Sequence, residues 1–428
     1  MPAPPMQRLA AALAAPAVLV ALSAPAVLTA AAVPAYESAP EWPRFHGPDQ
    51  TNRSPATDLL KEWPAGGPRL LWRAGGLGHG YSGVTIADGL IYTTGNSGDA
   101  TVITALTLEG KPAWRAPNGP AYTRSHPGTR STPTLDDGLL YHENADGDLV
   151  CLDARTGRRR WHVNILKRFR GRNISWALAE SVLVDGDRVI ATPGGKEIGL
   201  VALDKRTGNP VWTCRGTDDK PGYCTPIVFE YEGLRQIVTL MASSVVGVEA
   251  ETGRLLWQVP HHTKFDENIT MPIFHAGHVF VTSRTTGSRL LRLKVDGRDC
   301  AVEEVWASKA LDVQHEGVLL LGGHLYGTSM TNRPGPWTCL ELATGKRCWG
   351  EPGIGRASVT WADGRIYAVN HKGTVGLVNP SPEAFRLVSR FQLPKGGKGP
   401  VWAHPVICGG RLYLRHDETL FCYDVSAR

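Results

Sequence analysis

Side chains suited to binding an anion, a planar ring or a hard cation recur along this sequence, a few residues ahead of short apolar runs. Arginine holds carboxylates through paired hydrogen bonds, tryptophan stacks on flat rings, and carboxylate and amide oxygens bind Ca2+. All three types occupy comparable places in successive segments, which indicates one ligand site assembled from distant parts of the chain. The nine candidates are Arg130, Trp176, Glu180, Asn268, His315, Glu316, Arg356, Trp402 and His404.

The elements between these candidates repeat one pattern: an apolar run, a two-residue turn ending in glycine, and a second apolar run. Such turns supply the positive φ that tight β-hairpins need at their central positions. The residues after each turn favour β-strands. Eight copies are present, with turns at Asp88-Gly89, Asp137-Gly138, Asp185-Gly186, Glu232-Gly233, Ala276-Gly277, Gly322-Gly323, Asp363-Gly364 and Gly409-Gly410.

A second hairpin follows in the first seven copies, with a Thr-Gly or acidic-Gly turn and a strand that ends in an aromatic residue. Examples are the strands ending at Trp161 and Trp212. Each copy therefore predicts four antiparallel strands in about 40 to 50 residues, which is the period of a β-propeller blade. The eighth copy supplies only three strands, and we expect residues 69–72 to add the fourth, because closing the ring removes exposed sheet edges.

The fold prediction is thus all-β, an eight-bladed β-propeller over residues 68–428 that is closed by an N-terminal strand. The loops that enter the innermost strands of such a ring crowd one face, so the nine candidates are predicted to converge at a channel mouth. The alternative is structural, because any wet channel mouth is polar: Trp176 then plugs the channel, and His404 bonds only backbone. No catalytic residue and no zinc-like His/Cys spacing is predicted.

The ends and the charge of the chain bound its location. Residues 1–35 read as a secretory signal peptide with an apolar run from Leu9 to Val33, followed by an extended arm over residues 36–67. An uncleaved membrane anchor is the alternative, against which Pro16 and Pro25 argue. The run has no Cys for a lipid anchor.

The net charge of +6 and the basic cluster at 158–160 indicate a solvated surface, so no nucleic-acid partner is expected. We therefore predict a periplasmic or secreted monomer without any other membrane span.

Five of the eight cysteines fall into two groups. Cys151, Cys339 and Cys422 align with a place that other blades fill with Ala105, Ala202, Gly247 and Gly376. A place that accepts only small side chains predicts close packing, so these cysteines are expected to be small core residues. Cys214 and Cys224 flank a short loop, and the sequence leaves open whether they form a disulfide.

At this point the sequence resembles the pyrroloquinoline quinone (PQQ) propeller repeat family. The resemblance rests on the element Leu-Asp-x-x-Thr-Gly-x-x-x-Trp at 152–161 and 203–212, a variant at 248–257, and the opening Trp-Pro-Arg-Phe-His-Gly-Pro at 42–48. That superfamily contains quinoprotein alcohol dehydrogenases and the BamB-type scaffold of outer-membrane protein assembly. The dehydrogenases of this superfamily hold PQQ between a Trp and a disulfide of adjacent cysteines, with Ca2+ and a catalytic Asp. The resemblance implies that a dehydrogenase with this sequence would need a comparable set of residues. This chain has no adjacent cysteine pair and no Cys-x-x-Cys-His haem motif.

The functional prediction that follows is an exported binding or scaffold module of the cell envelope, similar to BamB, with a protein, peptide or glycan partner. The alternative is a PQQ-dependent oxidoreductase that acts on alcohols or sugars in the periplasm. PQQ with Ca2+ is compatible with the resemblance but is not the expected cofactor, and the sequence names no other.

Overall fold

A computed structural model describes residues 1–3, 40–331 and 336–427 of the chain. Most of the predicted signal peptide lies outside these residues, so its presence and cleavage stay predictions. Within the described residues, no helix has the length and apolar character that crossing a lipid bilayer requires.

The described chain from residue 40 onward forms an eight-bladed β-propeller, as predicted, with four antiparallel strands in each blade. The strands before the first blade are β1 (Arg53–Ser54) and β2 (Arg69–Ala74). Blades one to four contain β3 (Thr85–Ala87), β4 (Leu90–Ser97), β5 (Ala100–Thr107), β6 (Pro112–Pro120); β7 (Thr134–Asp136), β8 (Leu139–Glu143), β9 (Asp148–Asp153), β10 (Arg159–Asn164); β11 (Leu183–Asp185), β12 (Arg188–Ala191), β13 (Ile198–Asp204), β14 (Pro210–Arg215); and β15 (Ile227–Tyr231), β16 (Leu234–Leu240), β17 (Ser244–Glu249), β18 (Leu255–Pro260).

Blades five to eight follow in the same order along the chain. Their strands are β19 (Ile273–His275), β20 (His278–Ser283), β21 (Gly287–Asp296), β22 (Asp299–Ser308); β23 (Val318–Leu321), β24 (His324–Thr328), β25 (Trp337–Glu341), β26 (Arg347–Glu351); β27 (Ala357–Ala362), β28 (Arg365–Asn370), β29 (Thr374–Asn379), β30 (Arg386–Gln392); and β31 (Val406–Cys408), β32 (Arg411–His416), β33 (Thr419–Asp424). One helical turn, α1 (Ile165–Arg168), follows β10. Strand β2 pairs antiparallel with β33 and completes blade eight, which confirms the predicted ring closure.

A tryptophan on the outermost strand joins each of several blades to the next. Trp114 of blade one donates its indole N–H to Ala154 O of blade two at 2.9 Å, and Trp161 of blade two donates to Lys205 O of blade three at 2.9 Å. The same ring packs on the glycine of the next Thr-Gly turn: a Cβ on Gly157 would lie 2.6 Å from Trp114. The glycine is therefore needed for close approach as well as for its positive φ.

The third-strand position that Cys151, Cys339 and Cys422 occupy faces these outer tryptophans at a β-bulge. Cys151 and Cys422 pair with Trp161 and Trp72, and both cysteines are fully buried. In blade seven the residue facing the bulge is Leu377, so the alignment of Gly376 with this place is wrong. Two further free cysteines, Cys214 and Cys224, belong to different apolar clusters, and the disulfide between them that the sequence left open is not formed.

Residues 42–54 of the predicted arm lie against the innermost strands and not on the outer rim. Trp42 exchanges two backbone hydrogen bonds of 2.8 Å with Ile86 of β3, and Pro43 O accepts from Leu135 N of β7 at 2.7 Å. Farther on, β1 pairs in parallel with β27 on its channel side. The innermost strands carry unpaired backbone groups that face the channel, and the arm bonds to them, so its path follows from hydrogen bonding.

Candidate functional site

The loops that enter the innermost strands surround a cavity of about 410 Å3 at one mouth of the channel. Phe45 and His46 of the arm also line it. Ten lining side chains carry aromatic rings, so its wall is suited to stacking: Phe45, His46, Tyr81, His126, Trp176, Tyr223, Phe265, His315, Trp402 and His404. Of the nine predicted residues, the structure brings five to this cavity, namely Arg130, Trp176, His315, Trp402 and His404.

Hydrogen bonds between neighbouring blades fix the loops around the cavity. Gly83 N donates to Thr132 Oγ1 at 3.0 Å, Thr132 N donates to Ser181 Oγ at 2.9 Å, and Ser181 N donates to Thr225 Oγ1 at 3.1 Å. The chain of bonds runs from blade one to blade four just before each innermost strand. Ser181 and Thr225 line the cavity, so this part of the wall is built from rigid elements.

Trp402 forms the most crowded part of the aromatic wall. Its ring centroid lies 4.7 Å from Tyr81, 5.0 Å from His126 and 4.8 Å from His315. Its indole Nε1 is buried and has no hydrogen-bond partner among the described residues. An indole nitrogen is only a donor, so Trp402 offers an N–H to an acceptor.

Arg130 lines the cavity but is committed to the protein itself. Its guanidinium donates to Trp176 O at 3.2 Å, Ser125 O at 2.9 Å and His126 O at 3.1 Å. It also lies 4.4 Å from the ring centroid of Tyr122. Arg130 therefore holds two loops of the mouth together, and its use as an anion clamp, which the sequence suggested, would cost these bonds.

The sequence interpretation missed Arg284, which offers the freer guanidinium. Arg284 follows β20 and lines the cavity. Its Nη1 lies 3.6 Å from Glu267 Oε2, and its Nε is buried with no hydrogen-bond partner among the described residues. The available signal was the topology: in a four-stranded antiparallel blade, the β20–β21 hairpin turns at the same face as the loop that enters the innermost strand.

Glu316 lies beside the cavity as the centre of a buried ionic network. Its side chain is fully buried, and its Oε1 accepts from Arg356 Nε at 2.8 Å and lies 3.2 Å from His371 Nε2. Its Oε2 accepts from the backbone N–H groups of Gln314 and His315 at 3.2 and 3.0 Å. Burial alone would raise the pKa of Glu316, but His315, His371 and Arg356 together lower it well below its ordinary value.

His315, Glu316 and His371 place three potential metal-ligand atoms within 4.8 Å of one another. The same Glu316 Oε1 already receives the Arg356 guanidinium, so a divalent cation there would have to displace a paired positive charge. Burial lowers the pKa of His315 to about 4, which keeps this ring neutral at neutral pH. We therefore interpret the group as an ion-pair network that orients His315, and neither Glu316 nor Arg356 lines the cavity.

Asn268 and Glu180 are also outside the cavity lining. Asn268 Nδ2 donates to Met241 O, Ala242 O and His261 O at 2.8, 3.2 and 2.9 Å, so its amide is fully used in holding loops. With Glu316 in its own network, the three oxygen donors that the sequence suggested for Ca2+ each have separate partners.

Glu180 instead forms a buried acid pair with Glu143. Glu180 Oε1 accepts from Thr192 N at 2.7 Å. Burial raises the pKa of Glu180 to about 7. Burial also raises the pKa of Glu143 well above its ordinary value, and the nearby Glu180 carboxyl adds to that shift. The two carboxyls therefore hold at least one proton near neutral pH.

His404 lies where the arm meets the cavity. Its Nε2 donates to His315 O at 2.8 Å, and its Nδ1 accepts from Asn52 Nδ2 at 3.4 Å. Its ring centroid is 4.9 Å from that of His46. Burial lowers the pKa of His404, so a neutral ring bridges backbone and arm. His404 therefore bonds a side chain of the arm as well as backbone, and it lines the cavity.

A family model described as outer membrane protein assembly factor BamB matches residues 57–180 and 98–351, which together span more than half of the chain. The chain belongs to this family. The resemblance to PQQ propeller repeats is thereby confirmed.

Relatives of the BamB family and of the quinoprotein dehydrogenases both match this chain. The quinoprotein alcohol dehydrogenase PedH of Pseudomonas putida is 28% identical over 162 residues, covering 36% of this chain and 26% of that protein. BamB of Burkholderia pseudomallei is 25% identical over 206 residues, covering 42% of this chain and 47% of that protein. The chain thus spans less than half the length of these curated relatives.

Solved structures support the fold alone. The crystal structure of BamB from Moraxella catarrhalis superposes with a TM-score of 0.57 at 15% identity, covering 83% of this chain and 99% of that one. A likeness at this identity carries the architecture and not the ligand, because one fold hosts many functions.

The residues of the cavity fit part of a PQQ site only. Trp402 and Trp176 could stack on a flat ring. A hard cation needs several free oxygen ligands, whereas the one carboxylate of the lining, Glu267, accepts from Gln314 Nε2 at 3.1 Å and pairs with Arg284. The cavity residues therefore do not fit PQQ with Ca2+.

Proposed function

We propose that this protein is an exported binding module of the cell envelope, and that its channel-mouth cavity receives a flat, acceptor-bearing group of a protein partner. The observation that carries the proposal is an excess of buried, unpartnered nitrogen atoms in an aromatic-lined cavity. Membership of the BamB family supports a protein partner, and the predicted signal peptide supports export.

The polar atoms that face the cavity favour a ligand with acceptor oxygens. Trp402 Nε1 and Arg284 Nε are buried donors without a partner among the described residues, and both residues line the cavity. Unpaired buried donors cost about 1–3 kcal/mol each, so a carboxylate or carbonyl that accepts from them gains that energy on binding.

The shape and charge of the cavity point in the same direction. Its volume of about 410 Å3 suits one or two side chains or a small molecule. Among the residues that the structure describes, Arg130 and Arg284 line it together with a single carboxylate, Glu267, so this part of the wall is cationic. Aromatic walls with a cationic edge favour a ring next to an acid over a neutral sugar.

The position of the N-terminal arm favours binding of a ligand at one face of the propeller. Phe45 and His46 of the arm line the cavity, and Asn52, only 1% exposed, ties the arm to β27 by donating to Val359 O. The arm is therefore a fixed part of the cavity wall. Such a surface suits a scaffold that captures part of a partner.

A direct test is titration of the purified mature protein with a doubly capped Gly-Phe-Asp tripeptide. The probe carries one ring and one carboxylate, and its Gly-Phe-Asn analogue differs only in charge. We expect saturable calorimetric heat and a change in indole fluorescence with the acid and at least about tenfold weaker binding of the analogue. Arg284→Gln should reduce binding of the acid, whereas Arg254→Gln, in an exposed ion pair away from the cavity, should not.

The oxidoreductase alternative is tested in the same instrument. PQQ is titrated with and without Ca2+ against the same preparation. Saturable binding that requires Ca2+, followed by reduction of a dye acceptor in the presence of an alcohol, would replace the binding-module proposal. Binding of the acidic probe without any Ca2+ dependence would support it, and absence of binding for both probes would refute the assignment of the cavity.

A further inference from the structure

Blade six carries two cysteines on paired strands. Cys339 lies on β25 and Cys348 on β26, and in the antiparallel register Cys339 faces Trp349 while Leu340 faces Arg347. The register skips Cys348, which is therefore the extra residue of a β-bulge. Two residues of a bulged strand oppose one residue of its partner, so Cys348 and Trp349 together face Cys339.

The two thiols lie on the same face of the blade. Tyr326 is paired with Cys339 from the other side, and both the Tyr326 hydroxyl and the Cys348 thiol lie near enough to Cys339 Sγ to act on its pKa. Facing Cα atoms of antiparallel strands lie about 4.5–5.5 Å apart, and disulfides join Cα atoms about 4.4–6.8 Å apart. Cys339 and Trp349 are such a facing pair, and the bulge places Cys348 directly next to Trp349 on the same strand, within the reach of a disulfide to Cys339.

The other blades provide internal controls, because they contain the same bulge. Cys151 faces Trp161 with Arg160 as the extra residue, and Cys422 faces Trp72 with Leu71 as the extra residue. Among the described blades, only blade six has a thiol at both places. The pair is therefore a property of this blade and not of the repeat.

We propose that Cys339 and Cys348 are a redox-active pair that an external disulfide oxidant converts to a cross-strand disulfide, stapling the outermost strand of blade six. The exposed Cys348 thiolate attacks the oxidant's S–S bond, forms a mixed disulfide and releases one thiol. Cys339 then attacks the Cys348 sulfur and releases the second thiol. The oxidant gains two electrons and both protons, and the protein loses two hydrogen atoms.

The environments of the two sulfurs assign these roles. Cys348 is exposed, whereas Cys339 is fully buried. Burial, together with the nearby Cys348 sulfur, raises the pKa of the Cys339 thiol to about 12. Cys339 is therefore the thiol that ionises less readily, and it attacks second.

The test uses the whole mature chain with all eight thiols reduced. It is incubated with oxidised glutathione, unfolded, alkylated and weighed by mass spectrometry. We expect six alkylated cysteines and a peptide cross-link between positions 339 and 348, with Cys151 and Cys422 alkylated. The oxidised protein should also unfold at a higher urea concentration, and a reductant should abolish that difference.

The matched variant is Cys348→Ser, which changes an exposed side chain. It should keep the fold, leave all seven remaining thiols alkylated and show no effect of oxidant on unfolding. Eight alkylated thiols in the oxidised native sequence, or a disulfide that joins Cys339 or Cys348 to any other cysteine, would overturn the proposal. Neither outcome depends on what the channel-mouth cavity binds.

Discussion

Removing the Arg356 guanidinium should leave the Glu316 carboxylate buried without its principal counter-charge. Glu316 is fully buried, and Arg356 donates to its Oε1 from Nε at 2.8 Å and also from Nη2. Arg356→Met keeps most of the apolar stem and removes only the charge. Breaking a buried pair on one side costs about 3–5 kcal/mol, because the remaining charge is desolvated and unpaired.

The pH dependence of the loss in unfolding free energy tests whether this loss comes from the charge of Glu316. In the native protein the pKa of Glu316 is lowered, so the carboxylate contributes stability above its unfolded pKa, and this is lost as the pH falls toward the folded value. Without Arg356 the folded pKa should move upward, because burial opposes ionisation and only His315, His371 and two backbone N–H groups remain to favour it, so the variant should gain less stability than the native protein as the pH rises through the unfolded value of about 4.3. The difference between native and variant protein is therefore expected to be largest near pH 7 and smaller near pH 5.

The free energy of unfolding is measured by urea titration near pH 7 and near pH 5, with tryptophan fluorescence as the signal. Arg206→Met is the matched control, because Arg206 and Asp137 form an exposed pair, and we expect a loss of at most about 1 kcal/mol there. The double variant Glu316→Gln with Arg356→Met should recover most of the loss, since no charge remains buried. A pH-independent loss below about 1 kcal/mol for Arg356→Met would refute this reasoning.

Two further predictions concern the acid pair and the bulge. Burial raises the pKa of Glu180 to about 7 and also raises that of Glu143, so the pair should destabilise the protein as the pH rises from about 4.5 to 7. Glu143→Gln should raise the melting temperature at about pH 7.5 and flatten this decline, and an unchanged pH profile would contradict the prediction. Gly247→Ala would place a Cβ 2.1 Å from Trp257 and should cost about 1–3 kcal/mol in unfolding free energy. The control Cys422→Ala, at the same place in blade eight, should cost only about 1 kcal/mol, and equal costs would refute the steric argument.

The blades could be predicted from the sequence because their signals are local. Each Asp-Gly or Gly-Gly turn needs a positive φ within two residues, and Asp88 and Gly89 have φ of 50° and 74°. The adjoining strands are short apolar runs whose hairpin partner is the next element. Ring closure was predictable as well, since the eighth repeat lacked one strand and residues 69–72 supplied its pattern.

The candidate site was only partly predictable. Counting residues ahead of each innermost strand found Trp402 and His315, but it could not tell which polar groups are already satisfied. Asn268 donates hydrogen bonds from its amide nitrogen to three backbone carbonyls. Arg284, which the sequence pattern did not select, lines the cavity and has an Nε without a partner among the described residues.

The sequence by itself determined the eight four-stranded blades, the closing strand and the small side chains that face the outer tryptophans in most blades, although blade five has Leu290 and blade seven Leu377 at this position. Only the tertiary structure decided that residues 42–54 of the arm lie along the innermost strands, that Glu316 is paired with Arg356, and that Cys348 lies beside Cys339 at a bulge. The physical reason is the range of the interactions. Turn geometry and strand propensity act between neighbours in the chain, whereas the partner of a buried charge, an unpaired strand edge or a thiol is set by whichever distant group folding brings into contact.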